Sequence, residues 1–277
     1  MVTLSAFSDE ISHDLETQIK FLQSQKISAM EIRFIDGKNI VNQPLSSVAE
    51  YKKMLDEAGI EISAVGSPIG KIRLDESFEQ HLDLFKQTIE VATILGTGNI
   101  RIFSYYAGEG QNIDECLDVV VERMHKKIAL LLGSNLKLMH ENETGIFGHS
   151  ADNCARMADQ LDSAYFALAY DPANFVWGEG ITENMKVCWP KMQAYVQHIH
   201  IKDWSVGNIL GDIPGKGQGQ IPELIQKLVE IKYNGYMTME PHLNKGGQFG
   251  GETTPSQFTE AIVSIRHLAG KYQLKLA

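Results

Sequence analysis

Cysteine is scarce: Cys116, Cys154 and Cys188 stand far apart, with no Cys-x-x-Cys pair among them. An odd, scattered set argues against a disulfide framework or a thiolate zinc knot and suits a reducing compartment. No apolar run is long enough to cross a bilayer, and the opening MVTLSAFSDEISHDLE lacks a basic start followed by an apolar core. The expectation is a soluble, cytoplasmic protein with no membrane partner. Positive charge is also in deficit, since 25 Lys and Arg against 35 Asp and Glu give a net charge of −10. That disfavours nucleic acid as a partner, because such binding rests on clustered cations. Finally, the turn after the first β-type run reads FSDEIS, without the Gly-x-Gly-x-x-Gly that an open nucleotide-binding sheet normally carries there.

What is present is an alternation. Eight short β-type runs, VTLSAF, SAMEIRF, IEISAVG, NIRIFSY, LKLMHE, YFALAYD, VQHIHIK and YMTME, are separated by amphipathic, charge-decorated segments. Among these, DLETQIKFLQSQ, LSSVAEYKKMLDEAG and FEQHLDLFKQTIEVATILG have helical spacing, with Gly59 and Gly96 placed as left-handed C-caps. A last helix, SQFTEAIVSIRHLAG, ends near Gly270. Strict alternation predicts a parallel sheet covered by helices. Eight repeats over residues 1–277, with no linker, predict one (β/α)8 TIM barrel domain.

The barrel explains an otherwise awkward stretch, HIHIKD at residues 198–203. Side chains of a strand alternate between faces. With Ile199 and Ile201 packed outward on helices, His198, His200 and Lys202 point into the barrel. The same parity sends Met237 and Met239 outward and Glu240 and His242 to the other face. In SAMEIRF it turns Ile32 and Phe34 out and Glu31 and Arg33 in. Charges in such an interior need partners or a cation. Enzymes of this architecture keep their sites at the C-terminal ends of the strands.

Strands five to eight end on Glu141, Asp171, His200 and Glu240. Three carboxylates and an imidazole converging on one mouth make a site for one divalent metal ion. Oxygen-rich ligation with a single nitrogen suits Mn²⁺ best, with Co²⁺, Mg²⁺ or Zn²⁺ also compatible. Each residue alone has a simpler reading. Asp171 before Pro172 is an ordinary helix N-cap, and a lone His200 is a hydrogen-bonded core histidine. The set, one residue per strand end, points to the metal.

The motifs ENETGIFG, YDPANF, HIHIKD, GKGQGQIPE and YMTMEPH, in this order, resemble the sugar phosphate isomerase/epimerase family of xylose-isomerase-like TIM barrels. MEIRFIDGKNI and GSPIGKI extend the likeness over nearly the whole chain. The resemblance, which takes in ketose 3-epimerases and inosose dehydratases, implies that Glu141, Asp171, His200 and Glu240 hold one metal. It also implies that Glu141 and Glu240 form the acid/base pair on opposite faces of the sugar. The implied reaction is isomerisation or epimerisation of a small sugar, sugar phosphate or related polyol through an ene-diolate. Two positions depart from the 3-epimerases: Asn174 stands for a substrate-gripping His and Val206 for a substrate-gripping Arg.

Around the four ligands, Lys202, Asn174, His242 and Arg33 are the substrate-binding candidates, with Arg101 as a further inward cation. Lys202 binds a substrate oxygen or else pairs with a ligand carboxylate. His198, one pleat deeper than His200, is expected to hydrogen-bond behind the ligands, and His140, on the opposite face from Glu141, to be structural. GDIPGKGQGQIPE after strand seven offers backbone N–H groups and Lys216 to a phosphate, or merely turns. NKGGQFGGET after strand eight reads as a lid or a flexible loop. Competing functions on the same residues are an inosose-dehydratase-like lyase, an endonuclease IV-like repair enzyme and a non-catalytic sugar-binding barrel. The repair reading needs further ligands from strands three and four, where VGSPIG and FSYYAGE supply no histidine. The subunit number is open, a homo-oligomer included.

Overall fold

The computed structural model describes residues 1–245 and 250–277. Eight parallel strands close into a barrel: β1 Thr3–Ala6, β2 Ala29–Ile32, β3 Glu61–Gly66, β4 Asn99–Ile102, β5 Lys137–Glu141, β6 Phe166–Tyr170, β7 Val196–Ile201 and β8 Tyr236–Met239. Each pairs with its sequence neighbours, and β1 closes the ring on β8 through Thr3↔Tyr236 to Ala6↔Met239. This is the (β/α)8 architecture expected from the alternation.

Strand parity does the sorting. Leu4, Met30, Ile32, Ile100, Ile102, Leu138, Leu168, Ile199, Ile201, Met237 and Met239 all join one apolar layer between barrel and helices. Inside the barrel, Met139, Ala167 and Ala169 form a small apolar cluster of their own. Polar groups share the interior with the buried Phe7 ring, and the Ser5 and Ser63 hydroxyls stand 2.7 Å apart.

Helix ends follow local chemistry. Asp14 caps Leu15–Ser24 by accepting the Thr17 N–H at 2.8 Å, and Gly96, at φ 72°, closes Phe78–Leu95 in the left-handed region. The last helix, Pro255–Tyr272, opens with a Thr254–Gln257 capping box and ends near Gly270, as expected. Its left-handed cap is Gln273, at φ 62°. One expectation fails. Phe34 does not face the helices, because β2 ends at Ile32 and the chain turns into a short hairpin pairing Phe34 with Asn39. Parity lapses there, and Phe34 faces the mouth cavity, with its ring stacked on His13 at 5.7 Å.

Candidate metal centre

Three buried groups lie below the barrel mouth. Glu31 on β2 accepts hydrogen bonds at Oε2 from the Thr238 hydroxyl at 2.8 Å and pairs with His198 Nε2 at 2.7 Å. The same oxygen stands 3.3 Å from His200 Nε2. This carboxylate therefore fixes which nitrogen of His200 looks downward and leaves Nδ1 facing the mouth. His198 hydrogen-bonds in this layer, as its depth on the strand suggested. Glu31 was placed inward by parity, but its hold on His200 is not written in the sequence.

Above that layer, one donor atom each from Glu141, Asp171, His200 and Glu240 lies within 4.8 Å of every other. Two donors on opposite sides of one ion, bonded at about 2.2 Å, stand about 4.4 Å apart, so small side-chain shifts suffice for a shared ion. Within the cage the buried donors lean on one another and on one cation: His200 Nδ1 stands 3.1 Å from Glu141 Oε1, and Asp171 Oδ2 stands 2.7 Å from Lys202 Nζ. A hard or borderline dication, held by three oxygens and one nitrogen, fits the chemistry of this donor set. Asp171 combines the two readings of the sequence: Oδ1 caps Pro172–Glu179, accepting from Ala173 and Asn174 N–H groups, while Oδ2 points into the cage.

Two further three-residue groups share members with this one, Glu31–His198–His200 and Glu10–Glu240–His242. In the first, Glu31 Oε2 is already engaged by Thr238 and His198. In the second, His242 Nε2 stands 3.3 Å from Glu240 and 3.4 Å from Glu10, at a backbone φ of 51°.

Cations flank the carboxylates. Arg33 donates from Nη1 to Glu240 at 2.6 Å and from Nε to Asp9 at 2.8 Å. Arg101 Nε lies 3.4 Å from Glu141. Lys202 Nζ is 2.7 Å from Asp171 Oδ2 and 3.7 Å from Glu240, the carboxylate pairing considered for it above. Asn174 donates to Glu141 at 3.3 Å and to the Asn142 carbonyl at 2.9 Å, so it steadies a cage carboxylate. Val206, where 3-epimerases carry an Arg, is exposed.

These neighbours set the protonation states. Burial alone would raise Glu141, but His200 and Arg101 bring it down to about 2. Burial likewise opposes ionisation of Glu240, yet Lys202, His242 and Arg33 hold it well below the usual carboxylate range. Asp171 goes the other way, up to about 7, because burial and then Glu141 and Glu240 outweigh Lys202. Burial works against charge on His200 too, but Glu141 and Glu31 keep its pKa well above the ordinary imidazole value.

Glu141 and Glu240 of the cage line a cavity of about 520 Å³, with Asp171 and His200 buried behind them. Lys71 and Glu143 form one polar edge, 3.2 Å apart, and Phe103, Trp177, Trp204 and Ile209 form an apolar wall. Parity could not find this wall, since its residues lie beyond the strand ends. His140 behaves as expected of a structural residue, its ring stacked on Phe166 at 6.2 Å.

The glycine-rich loop after β7 corrects the phosphate expectation. Gly215, Gly217 and Gly219 donate their N–H groups to the Asp203 carboxylate at 2.7, 3.0 and 2.8 Å. Lys216 pairs with Glu260 at 3.1 Å on the exposed surface. These amides are therefore spent inside the loop. Of the segment NKGGQFGGET, read as a lid or a flexible loop, residues 246–249 lie outside the described residues; Lys245 pairs with Glu252, and Gly250 borders the cavity over Arg33.

Among the described residues, no helix is long and apolar enough to cross a membrane. No curated protein matches the sequence. Among solved structures, a D-tagatose 3-epimerase-like protein superposes with a TM-score of 0.77 at 15% identity, covering 98% of both chains. The IOLI protein with a binding zinc atom gives 0.77 at 16%, over 98% of this chain and 99% of that one. A xylose isomerase-like TIM barrel protein from Mycobacterium smegmatis in complex with magnesium gives 0.73 at 14%, over 98% and 97%. At such identities the likeness speaks for the fold. A family model described as xylose isomerase-like TIM barrel matches residues 19–265. The chain belongs to the xylose isomerase-like TIM barrels.

Proposed function

We propose that this protein is a divalent-metal-dependent isomerase or epimerase of a small sugar or related polyol. The observation that carries the reading is the convergence of Glu141, Asp171, His200 and Glu240 donors within 4.8 Å, with Glu141 and Glu240 lining a cavity of sugar-accommodating size. Two of the similar structures carry zinc and magnesium, and the oxygen-rich donor set here suits Mn²⁺ best.

When bound, the ion supplies Lewis acidity that polarises a substrate carbonyl and acidifies the neighbouring C–H. That assistance is needed here. Glu141 and Glu240 are held far below neutral pH by their partners, which makes each a weak base toward an ordinary carbon acid. Glu141 ends β5 and Glu240 follows β8, so the two reach the cavity from different strands. One removes the proton, and the other, or the same one, returns a proton to the adjacent carbon or the opposite face. Lys202, on the same face as His200, donates toward the oxygen on which negative charge develops. Arg33 and Arg101 keep the two glutamates ionised and aimed.

The test uses protein stripped with a chelator and reloaded with Mn²⁺, incubated with a panel of ketoses and inososes in D₂O. Solvent deuterium should enter a substrate C–H, and Glu240→Gln and Glu141→Gln should each slow this by about 10²–10⁴-fold. Formation of an enone or diketone would make the protein a lyase on the same site. No exchange and no conversion across the panel would sink the reading.

A further inference from the structure

Barrels of this type commonly bind a substrate phosphate on backbone amides of the loops after strands seven and eight. Here the β7 loop has the right raw material: three glycines in five positions, with amides turned to a common centre. That centre is filled by the chain itself. Asp203, fully buried, receives N–H groups from Gly215, Gly217 and Gly219, and Oδ1 also accepts the Trp204 N–H at 2.9 Å. Such a concave set of amides is an anion nest, and its anion is a carboxylate. The fit is close: a Cβ on Gly217 or Gly219 would lie only 2.6 or 2.8 Å from Asp203 Oδ1. A substrate phosphate would have to expel Asp203 and refold the loop to gain these donors.

The cavity offers little in exchange. Of the lysines and arginines that line it, Arg33, Lys71, Arg101 and Lys202 stand 2.6, 3.2, 3.4 and 2.7 Å from carboxylates, and Lys38 is exposed to solvent. A phosphate monoester would bring a charge of about −1.5 to −2 beside Glu141, Glu143 and Glu240. What the β7 loop does present to the cavity is apolar. Trp204, anchored through its N–H to Asp203, meets Trp177 at a ring separation of 6.2 Å on the cavity wall.

We propose that Asp203 is a specificity-determining residue: its carboxylate occupies the β7-loop anion nest, so that the site takes an uncharged sugar, its distal end against Trp177 and Trp204, and not a phosphate ester. Asp203 acts as a positioning residue, through the loop and Trp204. The inference rests on the isomerase reading for the word sugar but not for the state of the nest.

Two measurements separate these layers. Mn²⁺-loaded protein is titrated calorimetrically with matched pairs, D-fructose against D-fructose 6-phosphate and D-tagatose against D-tagatose 6-phosphate. The neutral member should bind at least about tenfold more tightly. Preference for the phosphate ester overturns the inference while leaving the isomerase reading standing. Independently of any sugar, wild type and Asp203→Gly are compared for thermal stabilisation by inorganic phosphate. Wild type should show none, and the variant, with its nest opened, should gain it. Stabilisation of wild type by phosphate, or none in a folded variant, refutes the nest's role. Should Asp203→Gly not fold, the wild-type response decides, and if no sugar of either kind binds, the isomerase reading fails while the phosphate response still judges the nest.

Discussion

Glu31 Oε2 stands 3.3 Å from Nε2 of His200, on the side of the ring away from the carboxylate cage. A carboxylate behind a ligand imidazole fixes its tautomer and raises its basicity. Glu31→Gln keeps the shape and removes the charge. It should weaken Mn²⁺ binding by about 10–100-fold, measured by competition against a calibrated chelator. Unchanged affinity would mean that His200 is oriented by packing alone, for instance by Phe7, whose ring meets it edge-on at 5.4 Å.

Metal loading should stabilise the fold, because an ion that binds only the assembled cage shifts unfolding by mass action. At a hundredfold excess over Kd the gain is about 2.7 kcal/mol, or a rise of several degrees in Tm. Scanning calorimetry with and without Mn²⁺ reads this directly. His200→Ala should abolish the shift; its persistence would place the ion elsewhere.

Arg33 bridges Asp9 and Glu240, both buried. Arg33→Met leaves two buried carboxylates without their shared cation and should cost about 3–5 kcal/mol in urea unfolding. Arg33→Lys should recover only part, since an ammonium lacks the guanidinium's fork of donors. A loss below 1 kcal/mol in the Met variant, on the scale of an exposed pair, would show that the bridge carries no structural weight.

Acid sensitivity should come from histidines outside the cage. Burial pushes His140 and His81 from 6.5 down to about 3. His81 Nε2 accepts the Gly70 N–H at 2.9 Å, which only a neutral ring can do. Between pH 6.5 and about 3 the unfolded chain takes up protons that the native state refuses. Their stabilising effect is therefore complete above pH 6.5 and falls as pH drops, by up to about 1.4 kcal/mol per unit for each histidine. His140→Leu removes one titrating group and two unpaired buried nitrogens. Unfolding free energies measured from pH 7 to pH 4 should show a shallower slope in this variant, and an unaltered slope would exonerate His140.

Strand parity is a local rule with a period of two residues, so the sequence by itself determined the barrel, the outward apolar layer and the inward direction of Glu31, Arg33, His198, His200 and Lys202. It also put Glu141, Asp171, His200 and Glu240 at successive strand ends, where closure of the sheet brings them together. Pairing is not local. Arg33 meets Glu240 from 207 positions away and Glu31 meets His198 from 167, and only ring closure between β1 and β8 selects those partners. The same limit explains why the sequence left the β7 loop open between a phosphate cradle and turns. A run of glycines announces amides free to converge, but whether they converge on a ligand's phosphate or on Asp203 depends on where the folded loop sets that carboxylate. Phe34 and the Trp177–Trp204 wall escaped for a related reason: beyond the last paired residue of a strand no periodicity assigns a face, and the turn geometry decides.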